Sequence, residues 1–350
     1  MFPKYSRLRV FKAASAMLWL LLPAMAWPTS QKAATAEAPS ATQSSNQKNE
    51  QEPLETLKVN VDVVNLFFNV RDKRGALVPS LSKNDFDVLE DGKPQTIKYF
   101  NAESNQPLTL GLLIDSSASQ ERVLGMEKEV GSAFLNDVLR EKDLAFVISF
   151  DVTVDLLQDF TSSSRELRAA LNRARINNGG GGGSIPGLGG GPVPISNPRG
   201  TLLYDAIYLA ANEKLAREAG RKAMIILTDG EDQGSQLKIR DAIEGAQKSD
   251  AICYVLLIAD RGFYGGRYSG DREMKKLAEE TGGRVIDVGN KINKLKEAFD
   301  QVANELRSQY YIGYTPTNNK RDGTFRRVEV HSKQGHKVQS RSGYYALASR

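Results

Sequence analysis

An α/β fold is predicted for this chain of 350 residues: a doubly wound, mostly parallel sheet flanked by a small antiparallel β unit built from the amino- and carboxyl-terminal segments. Three observations predict it. From Leu108 onward, apolar runs of strand length alternate with amphipathic stretches of helical spacing, the pattern of repeated βαβ units. The apolar runs are nearly continuous, so both faces of those strands must be covered by helices. Towards both ends the periodicity changes to two, which belongs to half-buried antiparallel strands.

In chain order, residues 1–26 read as a secretory signal peptide. Lys4, Arg7, Arg9 and Lys12 precede an uncharged stretch containing Met17-Leu18-Trp19-Leu20-Leu21-Leu22, and Ala24-Met25-Ala26 offers a cleavage site for signal peptidase. The alternative is an uncleaved anchor, although the strongly apolar part is short against the ~20 residues that span a bilayer. No cysteine lies near the cleavage site, which excludes a lipoprotein anchor. The expected location is periplasmic or secreted, with an inner-membrane anchor as the alternative. Residues 27–55 are rich in Ala, Ser, Thr, Gln, Glu and Pro and are expected to form a disordered linker.

The formal charge of +5 comes mostly from the leader, which holds four basic residues and no acidic one. The remainder is close to neutral, so neither nucleic acid nor an anionic membrane surface is an expected partner beyond the anchor alternative.

Residues 56–104 form the amino-terminal β unit. Val59, Val61 and Val63 alternate with polar residues, and Leu66, Phe68 and Val70 continue in the opposite phase, which predicts a bulge or break near Val64-Asn65. Turns are expected at Asp72–Gly75 and Asp91-Gly92, with apolar pairs at Phe86/Val88 and Ile97/Tyr99.

The α/β domain covers residues 105–310. Its strands are expected at Leu108–Ile114, Leu144–Phe150, Ala223–Leu227, Ala251–Ile258 and Arg284–Val288. Met126, Val130, Phe134 and Val138 mark a helix, a second helix runs over Leu202–Leu215, and the domain ends with a helix at Ile292–Gln309. The single cysteine, Cys253, lies in a strand as a small buried hydrophobe. No intrachain disulfide can form, so stability must come from the core. Residues 179–191 hold nine glycines but no Gly-Lys-Ser/Thr follows them, which excludes a phosphate-binding loop. They read as a flexible surface loop, placed just before Thr201 where it could gate a site. In residues 311–350, Phe325–Ser332 and Lys337–Ser342 are expected to form a hairpin about Lys333–His336. That hairpin should join the amino-terminal unit in one composite β layer.

The first strand of the domain ends in Asp115-Ser116-Ser117-Ala118-Ser119. Alternate spacing puts one carboxylate and two hydroxyls on one side, where open α/β sheets bind ligands, beyond the carboxyl ends of their strands. Gly200-Thr201 opens a helix, and Thr228-Asp229-Gly230 ends another buried strand at the same edge. Asp115, Ser117, Ser119, Thr201 and Asp229 together offer oxygen and no nitrogen or sulfur. A hard divalent cation with water completing its shell is the expected occupant, Mg²⁺ by preference and Mn²⁺ as a substitute. Each residue also has a purely structural reading. Ser117, Ser119 and Thr201 could be helix N-caps, Asp229 a turn former, and Asp205 a favourable charge near a helix start.

The pattern Asp115-x-Ser117-x-Ser119, a separate Thr201 and then Thr228-Asp229-Gly230 resembles the metal-ion-dependent adhesion site (MIDAS) of von Willebrand factor A domains over residues 107–310. With Val88–Gly92, Tyr311-Ile312-Gly313-Tyr314 and Gly343-Tyr344-Tyr345, the whole chain resembles the exported bacterial group called VWFA-related proteins. The resemblance implies that the two serines and the threonine contact the metal directly or through water, and that the two aspartates are ligands or hold waters. It also implies that a Glu or Asp of a protein partner completes the shell. The expected function is therefore a non-enzymatic, adhesion-type binding module. A membrane-tethered scaffold using the same site is one alternative. A metal-dependent hydrolase is the other, and the sequence disfavours it. The only histidines, His331 and His336, lie in the terminal β segment, and no triad or carboxylate dyad is recognisable.

Overall fold

A computed structural model describes residues 63–102, 106–176, 200–258 and 270–348. The leader, the linker, Val59 and Val61, and the glycine-rich segment 179–191 lie outside the described residues. Among the described residues no helix is long and apolar enough to cross a membrane.

The amino-terminal unit contributes β1 (Val64–Arg71), β2 (Phe86–Glu90), β3 (Lys93–Gln95) and β4 (Ile97–Asn101). The α/β domain follows with β5 (Leu108–Asp115), α1 (Leu124–Val138), β6 (Leu144–Phe150), β7 (Val154–Thr161) and α2 (Ser164–Arg173). It continues through α3 (Leu203–Leu209), β8 (Arg221–Thr228), α4 (Ile239–Lys248), β9 (Ala251–Leu257), α5 (Gly270–Thr281), β10 (Val285–Asp287) and α6 (Ile292–Arg307). The chain ends with β11 (Tyr310–Tyr314), β12 (Phe325–Ser332), β13 (Lys337–Gln339) and β14 (Gly343–Tyr345).

The central sheet has the order β10-β9-β8-β5-β6-β7. Every pairing in it is parallel except β6 with β7. Residues of β5 and β8 point alternately to two cores. Leu110, Leu112, Ala223 and Ile225 meet α1, α2 and α6, whereas Leu113, Met224 and Ile226 meet α3, α4 and α5. This two-sided burial is why the strands read as unbroken apolar runs. The helix expected at Leu202–Leu215 is α-helical only to Leu209 and then widens into a π turn over Ala210–Lys214.

The terminal segments form two four-stranded sheets, β13-β1-β11-β4 and β14-β12-β2-β3, around one shared core that includes Leu66, Phe68, Phe86, Tyr310 and Val330. Two expectations are corrected here. The β unit is composite, but it comprises two sheets and not a single layer. The terminal hairpin does not form either: β12 pairs with β2 and β14, whereas β13 pairs with β1. The turn at Lys333–His336 is real, with Gly335 N–H donating to the Ser332 carbonyl. Beyond it, however, the chain crosses to the other sheet. Asp85 anchors the turn through its carbonyl to Lys333 N–H and its carboxylate to Gln334, and the Gln339 amide is drawn to Gly282 and Glu305. Val338 thereby joins the shared core from the opposite sheet to Val330.

Within β1, the buried apolar residues Val64, Leu66, Phe68 and Val70 keep a single phase, so no bulge falls at Val64-Asn65 inside the strand; the preceding run with Val59 and Val61 lies outside the described residues. Asp91 and Gly92 both have positive φ, 48° and 76°. That is the geometry of a tight two-residue turn, which brings β3 back against β2. Of the pair Ile97/Tyr99, only Ile97 is buried, and Tyr99 lies exposed over Gly313.

The β sandwich sits at the amino-terminal edge of the central sheet. Arg341 pairs with Asp250, which immediately precedes β9, and also donates to the Asn65 carbonyl. Glu305, at the end of α6, is fully buried and bound by Arg71 of β1 and by Arg284, each at 2.6 Å. The carboxyl-terminal edge of the sheet is thus left free of the sandwich.

Candidate metal centre

In domain order the central sheet runs 3-2-1-4-5-6 from β7 to β10. Connections from β5 and β8 leave in opposite directions, so the crevice between these neighbouring strands is the topological switch point of the sheet. Asp115 is the last residue of β5, and Asp229 follows the last residue of β8. Both carboxylates therefore stand at the place where this architecture binds ligands.

Asp115 is fully buried, and both its oxygens accept hydrogen bonds. Ser117 N–H donates to Oδ1 at 3.0 Å, and Thr228 Oγ1 donates to Oδ2 at 2.8 Å. Each oxygen retains a lone pair for a cation or a water. Ser117 Oγ and Ser119 Oγ converge to 3.0 Å. Asp229 is held in its turn by Glu231 N–H, which donates to Oδ1 at 3.0 Å. The next residue, Gly230, has φ +89°, and a Cβ there would lie 3.2 Å from a Leu257 methyl, so the turn that aims Asp229 needs glycine.

A ring of hydrogen bonds ties the three loops together. Ser116 N–H donates to the Phe150 carbonyl, and its hydroxyl approaches Asp151 Oδ2 at 3.3 Å. The Asp151 carbonyl takes Leu202 N–H, and the Thr201 carbonyl takes Gln233 N–H. Thr228 closes the ring by donating to Asp115 and accepting from Gly230 N–H. Asp115, Ser117 and Ser119 are thus brought into direct contact, and Asp229 acts on Asp115 through its charge. Thr201 is fixed by its backbone in the adjoining loop. Among the described residues no hydrogen bond holds its hydroxyl, which is free to turn towards a ligand.

The structural readings of the hydroxyls are not realised. The N-cap of α1 is Val123 and that of α3 is Leu202, and Ser117 makes no side-chain cap to its short 3₁₀ turn. Asp205 does more than meet a helix dipole: it accepts from Gln236 and Leu237 N–H and braces the loop after Asp229.

Burial first, and then the charge of Asp229, push the Asp115 carboxyl up to about 7 against the opposing bonds from Ser117 and Thr228. Among the described residues no lysine or arginine pairs with it. Glu127, on the first turn of α1, is also fully buried, and burial followed by the charges of Asp115 and Asp229 raises it well above the usual carboxylate range. Acidic groups that burial and mutual repulsion hold in this way are what a divalent cation would neutralise. The donor set fits such an ion: every candidate ligand is oxygen. Among the described residues no three His, Cys, Asp or Glu side chains converge as a metal cluster. In a bound state, serine and threonine hydroxyls and water would have to share the coordination with the two aspartates.

The sequence assigns no role to Ser116 or Thr228, which it shows only within the motif, and does not single out Asp151 or Glu127. Asp151 was accessible to it, because it follows β6 at the same sheet edge. Glu127 was not, because its helical spacing alone does not separate a buried carboxylate from a solvated one. Beside the site, an open depression of about 490 Å³ is lined by Ser116, Asp151, Asp155, Arg173 and Arg175. His331 and His336 lie in the sandwich, away from this edge.

No family model matches the chain, and no curated protein matches it. Among solved structures it is similar to a von Willebrand factor type A protein from Catenulispora acidiphila, at 12% identity over 83% of this chain and 74% of that one, with a TM-score of 0.46. It is also similar to BatB from Bacteroides thetaiotaomicron, at 18% identity over 57% of this chain and 100% of that one, with a TM-score of 0.42. A third similar structure is proximal thread matrix protein 1 from the mussel byssus, described with a zinc-occupied MIDAS motif. The identity there is 15% over 58% of this chain and 46% of that one, with a TM-score of 0.43. The six-stranded, mostly parallel sheet with helices on both faces is consistent with a von Willebrand factor A-type fold.

Proposed function

We propose that this protein is a cation-dependent, adhesion-type protein-binding module. The observation that carries the reading is a buried carboxylate, Asp115, at the switch point of the sheet, facing a second carboxylate, Asp229, and two converging serine hydroxyls, with no basic side chain among the described residues paired to Asp115. Asp115, Ser117, Ser119, Thr201 and Asp229 would hold the ion, with Mg²⁺ as the proposed occupant and Mn²⁺ as a substitute. When bound, the ion supplies a strong, directional acceptor for one more oxygen ligand. A Glu or Asp of a protein partner is the proposed donor. Docking it at this edge meets no obstacle from the sandwich, and the depression beside Ser116 offers room for flanking partner residues. Binding, not turnover, is the proposed activity.

Export through residues 1–26 is part of the same reading, with the site facing the periplasm or the exterior. The membrane-tethered alternative uses the same site and differs only in retaining the leader. Amino-terminal sequencing separates the two: a mature start at Trp27 supports cleavage, and an intact amino terminus in the membrane fraction supports the tether. The site itself is tested by titrating Mg²⁺ or Mn²⁺ into the purified full chain. Saturable binding supports the reading, and no binding at millimolar cation contradicts it.

A further inference from the structure

We propose that Glu127 is a positioning residue of the cation site, accepting a hydrogen bond from a cation-bound water on the inner side of the ion and so fixing the ion's depth in the crevice. This rests on the cation-binding reading above.

Glu127 is 0% exposed, and neither of its carboxylate oxygens has a hydrogen-bond partner. A buried carboxylate without a donor is strongly unfavourable, and native structures tolerate it where a ligand or water completes it. Its place in the fold puts it near the site: Glu127 stands in the first turn of α1, the helix that follows the Asp115–Ser119 loop where the chain leaves the carboxyl end of β5. The charges of Asp115 and Asp229 bear on it accordingly, opposed by that of Lys128. A second buried acceptor also lacks a donor. Gln120, 1% exposed in the turn between Ser119 and α1, has its carbonyl Oε1 buried without a donor. The Gln120 carbonyl takes Val123 N–H, and the Val123 carbonyl takes Glu127 N–H, so the two residues stand two helical turns apart on one face.

The Gln120 oxygen and both oxygens of an ionised Glu127 can only accept. Their missing complement is a donor or a cation. Direct ligation by Glu127 is disfavoured, because no three acidic, His or Cys side chains converge closely enough among the described residues. A water polarised by the cation satisfies both conditions: it is a strong donor, and it can bridge an ion held by Asp115 to a carboxylate that does not itself ligate the ion. Groups in such a second layer typically change metal affinity about 10–100-fold when removed.

The test is calorimetric titration of Mn²⁺ into the full-length wild type and the variants Glu127→Gln, Glu127→Leu and Val130→Ala, with thermal unfolding of each in EDTA. Val130 is buried on the same helix, points into the apolar core, and controls for generic loosening. The expected result is a Kd weakened about 10-fold in Glu127→Gln and more in Glu127→Leu, with no loss of cation-free thermal stability in Glu127→Gln. Val130→Ala should lose stability and keep its Kd. A Glu127→Gln Kd within about twofold of wild type, with reduced cation-free stability, would overturn the proposal and make Glu127 part of an ordinary buried-water network. If Glu127→Leu fails to fold, the near-isosteric glutamine variant still decides. Wild type that binds no Mn²⁺ would overturn both this proposal and the cation-binding reading. Wild-type binding that Glu127→Gln leaves unaltered would overturn this proposal alone.

Discussion

At the scale of single residues, Asp115 carries most of the chemistry. Its folded pKa of about 7 lies above the ordinary 3.8, so the native state binds more protons than the unfolded chain between those values. Stability of the cation-free protein should therefore fall as pH rises from about 4 to about 7, and the loss is complete above the folded pKa. A bound cation replaces the proton, so saturating Mg²⁺ should flatten that slope. Thermal midpoints across this pH range, with EDTA and with Mg²⁺, check both statements; a cation-free midpoint that rises with pH would contradict them. Thr228 is the second telling residue, because its hydroxyl serves Asp115 and Gly230 at once. Thr228→Val keeps the shape and strands both partners, which should cost about 1–3 kcal/mol in denaturant unfolding and weaken cation binding. The ligand-type residues were legible from their order in the sequence. Thr228 was visible in the motif but its role was not, because only the fold shows that its hydroxyl reaches Asp115 across two strands.

At the scale of elements, the sequence located five of the six strands of the central sheet because two-sided burial leaves an apolar run, and Leu144–Phe150 was read to the residue; it missed the antiparallel edge strand β7, whose residues are only partly buried and leave no such run. It misplaced the partner of β13. Period-two alternation states which side of a strand is buried and is silent about which strand lies beside it, and in this unit the neighbours are far apart in sequence. β1 lies between β11 and β13, with which no local turn connects it. The helix after Thr201 was read correctly as helical, but its widening into a π turn depends on packing against α4 and left no mark in the periodicity. The Asp229 turn makes a prediction at this scale. Gly230→Ala puts a side chain at φ +89°, which should cost about 1–2 kcal/mol and, by tilting Asp229, weaken cation affinity more than that destabilisation alone accounts for. Unfolding and cation titration of the same variant separate the two effects. Unchanged affinity would show that the turn does not aim Asp229 at the ion.

At the scale of the whole molecule, the sandwich and the candidate site occupy opposite edges of one sheet. Residues that join sandwich to sheet should then govern stability and leave the site alone. Glu305 is the sharpest case, since Arg71 and Arg284 both depend on it. Glu305→Ala leaves two guanidinium groups without their carboxylate and should destabilise by about 3–5 kcal/mol, with Mg²⁺ affinity unchanged where the protein remains folded. A parallel loss of affinity would mean that the sandwich sets the geometry of the site. Period-two patterning at both ends of the chain made the strands of the sandwich legible, whereas their joining into one composite unit was an expectation that the patterning itself does not show. The division of that unit into two sheets was not legible, because it depends on a shared core whose buried residues come from five separate strands, β1, β2, β4, β11 and β12.

The central claim is that Asp115 and Asp229 hold a divalent cation at the switch point of the sheet. The most direct test is calorimetric titration of Mg²⁺ and Mn²⁺ into the purified full chain beside Asp115→Ala and Asp229→Ala, with folding of each variant checked by circular dichroism. The account predicts saturable binding in the wild type and its loss in both variants, with the fold retained. Wild type that binds neither cation at millimolar concentration, or binding that survives both substitutions, would contradict it.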